Sequence, residues 1–419
     1  MVTPQVERCV RILNILLVPA FLSSLALAGC GGRPDGVLLP VESADAGGKR
    51  VDILVATTRS DADATPGQMF TGERGQALAF ADISVNVPPG HKEGEVEWPS
   101  GKPDPKAHFT TSRADRIDLK EALRRFHDRT KKTPQKRVLV FVHGYNTRFE
   151  EAVYRFAQIV HDAGAPVVPV LFTWPSRGKL LAYNYDRESA NFSRDSLEAL
   201  LRAISSDPAV GEVSVLAHSM GNWVTLEALR QIALRDRRTP AKLKSVMLAA
   251  PDVDVDVFHR QIAVIGTPNS RPSFTLFVSQ DDNALAVSTQ LWGGKARLGA
   301  IDPAQEPYRS QLKQAGVQVI DLTEVSTNDV LGHGKFAQSP EVVAMIGRRL
   351  AAGQTLSDSQ GGLGDRLTGI VMGATGAVGS AASIAVNAPL AIVDGRSRDS
   401  LGDHFEALQE SGGRMVRAR

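Results

Sequence analysis

The chain has 419 residues, of which 42% are apolar; that is enough for a real core and excludes a disordered chain, and the length suits one large α/β domain with extensions or two domains. Lys and Arg total 48 against 46 Asp and Glu, a net charge of +2, too balanced to argue for nucleic acid or an acidic polymer as partner. Internal repeats, zinc spacing, a Walker loop and the dinucleotide-binding glycine pattern are missing from the sequence.

At the amino end, Arg8 and Arg11 precede ILNILLVPAFLSSLALA, an uncharged run of secretory length interrupted by Pro19. It closes on Leu27-Ala28-Gly29-Cys30, which resembles the bacterial lipobox. That resemblance implies removal of residues 1–29 as a lipoprotein signal peptide and acylation of Cys30; a plain secretory signal is the alternative. The chain has two cysteines, Cys9 and Cys30, so the first would leave with the signal and the second would carry lipid, with no disulfide. The expected location is the cell envelope, held to the membrane by lipid. Gly31 is compatible with outer-membrane delivery in a Gram-negative host. Residues 30–50, rich in Gly, Pro, Ala and Asp, read as a tether.

Residues 51–350 alternate strand and helix. VDILVATT from Val51 and FADISVNVP, ending at Pro88, are strand-like, with turn-forming stretches between and after them. KRVLVFVHG is a continuous apolar run of the kind buried on both faces. RFEEAVYRFAQIVHDAG then places Phe149, Ala152, Val153, Phe156, Ile159 and Val160 on one helical face. Strand APVVPVLFTW, helix SRDSLEALLRAI, strand EVSVLAH, helix NWVTLEALRQIALR, strands KSVMLAAP and SFTLFVSQ, a helix from Asn283, strand VQVIDLT and helix SPEVVAMIGRRL complete the series. The alternation predicts an α/β fold with a mostly parallel central sheet flanked by helices. Chemistry in such sheets collects at the carboxyl ends of the strands.

Ser219 stands at one of those ends. In Ala217-His218-Ser219-Met220-Gly221 it follows a strand and opens an amphipathic helix, an arrangement resembling the G-x-S-x-G nucleophile elbow with alanine for the first glycine. The bland reading is a helix N-cap, so the partners decide. A serine hydroxyl needs a base, and of the nine histidines only His259, His333 and His404 follow Ser219. His259 comes before the strands that carry the acid, and His404 lies in a polar tail. His333, in Leu-Gly-His-Gly-Lys after the last strand, is the expected base. The acid is expected in Asp281-Asp282, after SFTLFVSQ, with the second aspartate capping the next helix. Asp252, Asp254 and Asp256 in PDVDVDVF read as solvent-facing alternation and capping, because the glycine turn and distal Glu of a calcium loop are missing, with Asp252 the lesser alternative for the acid. Oxyanion donors are expected from the Met220 N–H and from the His143-Gly144-Tyr145-Asn146 turn, where the Tyr145 N–H is favoured; His143 itself reads as structural. Tyr145, Trp174, Trp223 and Trp292 stand near element ends, as packing residues before acyl-binding walls.

Residues 351–366 read as a linker. LTGIVMGATGAVGSAASIAVNAPLAIV, residues 367–393, carries no charge and holds Gly369-x-x-x-Gly373, but Asn387 and Pro389 interrupt it. A docked surface segment is expected before membrane association or helix pairing. Residues 394–419 form a polar tail.

VATTR at Val55, ISVNVPPGHKEGEVEWP, FVHGYNTRFEEAVYRFAQI, FTWPSRG, AHSMGN, LAAPDVDVDVF and VSQDDNAL together resemble a bacterial α/β-hydrolase family of unknown function within the esterase/lipase superfamily. The resemblance implies the α/β-hydrolase fold and carries the triad to Ser219, Asp282 and His333, with Asp282 preferred to Asp281 because the family's aspartate stands two residues before Ala-Leu. The expected activity is cleavage of a carboxylic ester, small-molecule or lipid, through an acyl-enzyme, without metal or cofactor. A non-catalytic envelope scaffold, or a thioesterase or amidase, is the alternative. The sequence leaves the oligomeric state open.

Overall fold

The computed structural model describes residues 35–41, 47–62, 66–291 and 293–352. The signal peptide, Cys30, Trp292, the linker beyond 352, the 367–393 segment and the polar tail lie outside the described residues. Among the described residues no helix is long and apolar enough to cross a membrane.

Three strands open the domain: β1 (Lys49–Asp61), β2 (Phe70–Val87) and β3 (Thr110–Ile117). Helix α1 (Leu119–Lys132) follows, then β4 (Arg137–Val142), α2 (Phe149–Ala163), β5 (Val168–Thr173), α3 (Tyr183–Ser206), β6 (Glu212–His218) and α4 (Gly221–Asp236). The second half runs β7 (Leu243–Ala249), α5 (Val255–Ile265), β8 (Ser273–Val278), α6 (Asn283–Leu291), α7 (Tyr308–Gln314), β9 (Val317–Asp321), α8 (Lys335–Gln338) and α9 (Pro340–Ala352). All nine strands join one sheet in the order β3-β2-β1-β5-β4-β6-β7-β8-β9. β2 pairs antiparallel with both neighbours, and every other pairing is parallel. The expected sheet, mostly parallel and flanked by helices, is the one observed.

The central strands are mainly apolar because both faces are covered. Side chains alternate across a strand, so Val138, Val140 and Val142 of β4 enter one core with Phe126 of α1, Leu197 of α3, Val224 of α4 and Phe258 of α5. Leu139 and Phe141 enter the other, with Phe156 of α2 and Ile346 of α9. Each fully buried side chain of this size contributes about 1.5–3 kcal/mol.

Several elements differ from the sequence expectation. β2 begins ten residues earlier than FADISVNVP suggests, at Phe70, and α3 begins at Tyr183 rather than near Ser193. β3 and α1 were not anticipated: TTSRADRI is largely half-exposed on the sheet edge, and α1 buries only Ala122, Phe126 and Thr130. A helix, α5, intervenes between KSVMLAAP and SFTLFVSQ, capped by Asp254, whose carboxylate accepts from the Asp256 and Val257 N–H groups at 2.8 and 3.2 Å. Part of the expected tether is docked rather than free. Val37 and Leu38 are buried, and the Val37 carbonyl accepts from the Tyr154 hydroxyl at 2.7 Å and the Thr111 hydroxyl at 3.0 Å.

Candidate active site

β6 delivers Ser219 to the carboxyl edge of the sheet, where the chain turns into α4. Ser219 takes φ +53°, a left-handed conformation unfavourable for a residue with a Cβ and held only when its surroundings enforce it. The enforcement is visible. The Ser219 N–H donates to the Ala249 carbonyl at 3.0 Å, and its own carbonyl accepts from the Asn222 N–H at 3.1 Å, the Asn222 side-chain amide at 2.9 Å and the Asp252 N–H at 3.3 Å. Close packing also explains the small residues of the motif. A Cβ on Gly221 would stand 2.3 Å from the His143 carbonyl oxygen, whereas Ala217 fits within the strand, fully buried.

His333 lies beside this turn. Its ring packs on that of His218, centroids 4.7 Å apart, and its carbonyl accepts from His218 Nε2–H at 3.2 Å. His333 Nδ1–H donates to Asp282 Oδ2 at 2.7 Å. The imidazole is 18% exposed while Asp282 is fully covered. Burial pushes the His333 imidazolium down, but the bond to Asp282 and its charge outweigh burial, so the group titrates above 6.5. Asp282 also does the capping expected of its neighbour, since Oδ1 accepts the Leu285 N–H at 2.9 Å. Asp281 instead meets Lys335 Nζ at 2.8 Å through both oxygens.

The expected oxyanion turn lies directly opposite. A Cβ on Gly144 would be 2.8 Å from Ser219 Cβ, so only glycine lets this backbone come so near. Met220, fully buried, occupies the N-cap of α4, where N–H groups at the helix start lack intrahelical acceptors and favour negative charge. Asp186 holds the turn from below: Oδ2 accepts from the Asn146 N–H at 3.2 Å and the Ser176 hydroxyl at 2.6 Å, and Oδ1 from the Arg177 N–H at 3.0 Å. Burial pushes the Asp186 carboxyl above its usual range despite these donors.

His143 has the structural role expected of it. Nδ1–H donates to the Gly144 carbonyl at 2.8 Å, and Nε2 accepts from the Trp174 N–H at 3.1 Å and from Arg59 at 3.4 Å. Burial and then the Arg59 charge push its pKa down to about 3. Arg59 is buried too and also donates to Thr173 Oγ1 and to the carbonyls of Thr71, Ser176 and Thr147, at 2.8–3.1 Å. Burial lowers its pKa to about 10.

One expectation needs correction. Asp252 is not solvent-facing: it is 2% exposed and accepts from Arg297 Nε at 2.7 Å, the Ser288 hydroxyl at 2.7 Å and the Tyr183 hydroxyl at 2.6 Å. Burial opposes its charge, but Arg297 and the two hydroxyls win and keep the carboxyl below its usual range. Tyr145, Trp174 and Trp223 are engaged in packing, the reading the sequence favours. Trp174 stacks on His143 at 4.9 Å and donates Nε1–H to the His143 carbonyl, Trp223 donates to Asn191 Oδ1 at 2.7 Å, and the Tyr145 hydroxyl donates to the Leu180 carbonyl. An apolar cleft of about 650 Å³, lined by Leu54, Phe80, Ile117, Phe126, Leu200 and Ile204 among others, is not the site either. Ile204 stands 21 residues along α3 from Tyr183, the partner of Asp252, roughly 30 Å away at helical rise.

Sequence reasoning missed Arg59, Asp186, Asn222 and the Asp252–Arg297 pair. Arg59 and Asn222 sit at the ends of the strings VATTR and AHSMGN, which was the available signal; Asp186 had none. Among the described residues, the one His/carboxylate set of metal-binding geometry is His91, His161 and Asp162, on the loop after β2 and the end of α2.

A mostly parallel sheet flanked by helices, with a serine turn at the end of β6, is the architecture of an α/β hydrolase. The chain belongs to the family described as "Alpha/beta hydrolase of unknown function (DUF900)", which matches residues 119–349. An uncharacterized protein (alr1448) of Nostoc sp. is 28% identical over 132 residues, covering 26% of this chain and 34% of that protein, so the chain spans about a third of its curated relative. Similar solved structures include a thermostable esterase from Pseudomonas putida ECU1011, 14% identical, with TM-score 0.31 over 81% of this chain and 97% of that one. Another is an esterase of Pyrococcus furiosus, 11% identical, with TM-score 0.34 over 77% and 97%.

Proposed function

We propose that this α/β hydrolase is a serine esterase acting through Ser219, His333 and Asp282. The observation that carries the reading is the 2.7 Å bond from His333 to Asp282, beside a serine held left-handed at a strand-to-helix turn. Asp282 fixes the tautomer in which Nδ1 carries hydrogen and Nε2 is free to accept a proton. Ser219 Oγ attacks the ester carbonyl as His333 Nε2 takes the hydroxyl proton, and charge develops on the carbonyl oxygen. The Met220 and Tyr145 N–H groups receive that oxyanion, in a site where fixed dipoles need not reorient. The tetrahedral intermediate collapses as His333 protonates the leaving alkoxide, giving an alcohol and an acyl-Ser219. Water, deprotonated by His333, then releases the acid and restores the serine.

The test is labelling by a fluorophosphonate probe beside turnover of a panel of p-nitrophenyl esters, thioesters and amides. Wild type should label and prefer an ester, and Ser219→Ala should lose the label and about 10⁴-fold in kcat. A folded wild type that neither labels nor turns over any substrate would instead identify a non-catalytic scaffold.

The lipobox-like Leu27-Ala28-Gly29-Cys30 supports a lipid-anchored enzyme of the cell envelope, with membrane ester lipids within reach as substrates. Growth with labelled palmitate should mark the wild type; equal label in Cys30→Ala would reject the anchor.

A further inference from the structure

On the α2–α9 side of the sheet the loop after β2, residues 88–98, is pressed against the end of α2. Three side chains meet there with ligand atoms all within 4.8 Å of one another: His91, His161 and Asp162. Asp162 Oδ1 is shared, 2.8 Å from His91 Nε2 and 2.8 Å from His161 Nδ1. The His91 and Asp162 side chains are 4% and 1% exposed, and His161 is 19% exposed.

We propose that His91, His161 and Asp162 form a binding site for one divalent transition-metal ion of the zinc class, fastening the loop after β2 to α2. Two imidazoles and one carboxylate are a donor set that zinc and its first-row neighbours take readily. In a tetrahedral zinc site with bonds near 2.0–2.1 Å, ligand atoms stand about 3.3 Å apart. The two 2.8 Å edges here need to open by about half an ångström, and the His91–His161 edge lies within 4.8 Å. The partly exposed side at His161 leaves water to complete the coordination.

The surroundings hold the donors as a metal site requires. His91 Nδ1 is 2.8 Å from Glu97 Oε2, the carboxylate–histidine arrangement that turns the opposite nitrogen toward a metal. The second oxygen of Asp162 is occupied by the Gly94 N–H at 2.8 Å and the Gln158 amide at 2.7 Å, so Oδ1 is the oxygen left facing the imidazoles. Gln158 also donates to the Ala337 carbonyl at 3.0 Å. Through it the metal would buttress α8, which directly follows His333.

The experiment uses the full chain without an affinity tag, stripped by a chelator and dialysed. Titration with ZnCl₂ should show one equivalent bound per chain, and CoCl₂ should give the visible absorption of four-coordinate cobalt. Glu97→Gln should weaken zinc binding by about 10–100-fold, and His161→Ala and His91→Gln by more. Zinc should raise the unfolding midpoint of wild type and not that of His161→Ala, whose ring is partly exposed and whose loss leaves Asp162 bound to Gly94 and Gln158. Absence of saturable binding by the folded wild type, or binding by both histidine variants as tight as that of wild type, would overturn the proposal and leave a hydrogen-bonded cluster alone. Because binding, absorption and melting are read without substrate, the result is independent of the esterase reading.

Discussion

Adding one methyl group opposite the proposed nucleophile is the sharpest probe of how Ser219 is set. In Gly144→Ala the new Cβ would lie 2.8 Å from Ser219 Cβ, 3.0 Å from His218 Nδ1 and 3.2 Å from the His218 carbonyl oxygen. Carbon atoms rest at about 3.5–4.0 Å, so the carbon contact is short by roughly 1 Å. The serine cannot yield, because three donors hold its carbonyl and its N–H is bonded to Ala249. His218 is packed between the rings of His333 and Phe336, at 4.7 Å from each. The turn at 143–146 must therefore recoil, and the Tyr145 N–H with it. A displacement of ~1 Å at a reacting centre costs on the order of 10²-fold, and loss of one oxyanion donor about 10²–10³-fold in kcat. Steady-state turnover of a p-nitrophenyl ester should show that drop in kcat with KM little changed, and fluorophosphonate labelling should slow in parallel. Overpacking should cost about 1–3 kcal/mol, visible as a lower melting midpoint of a folded protein. A folded Gly144→Ala with wild-type kcat would refute the assignment of this turn to the oxyanion.

Asp282→Asn removes the charge that holds His333 above 6.5. The acid limb of the kcat/KM profile should move to lower pH as kcat falls by about 10⁴, and an unmoved limb would separate the two residues functionally. The raised folded pKa of His333 also sets the direction of a stability effect: the contribution is fully present below the unfolded value near 6.5 and is lost as pH rises through the folded value. Denaturant midpoints measured across neutral pH should show this decline in wild type and lose it in His333→Gln. Arg297→Met leaves Asp252 charged in a site where the two side chains are 4% and 3% exposed, so chemical denaturation should show a loss of about 3–5 kcal/mol. A neutral result there would mean that water reaches Asp252.

How much was legible in the sequence depended on how far apart the interacting residues stand. Ser219, Asp282 and His333 are distant from one another, but their order along the chain and their places after strands are themselves the signal, and the His333–Asp282 bond follows that pattern. Asp281 against Asp282 is a choice between adjacent carboxylates, which the resemblance tipped and the opposite environments, Lys335 for one and His333 for the other, explain. PDVDVDVF misled because strict alternation of Asp and Val imitates a half-exposed strand. In the fold Asp254 caps a helix and Asp252 turns inward to Arg297, 45 residues later. Nothing local announces a partner at that distance. α1 was obscured for the opposite reason, since its charged residues outnumber the few that pack. Arg59, a guanidinium in a β-branched strand, is chemically improbable inside a core until the carbonyls that receive it are seen.

That arginine bears on what counts as the smallest autonomous unit. The family match starts at Leu119, yet Arg59 on β1 fills the space beneath the Thr147 carbonyl, the Thr173 hydroxyl and the His143 imidazole. A protein trimmed to the matched span would keep every residue of the candidate triad and lose the cation around which the neighbouring loops are folded. It would also strip β1 from the side of β5, baring a parallel strand edge that is prone to self-association. The first three strands thus belong to the scaffold of the candidate site, although the family match does not include them.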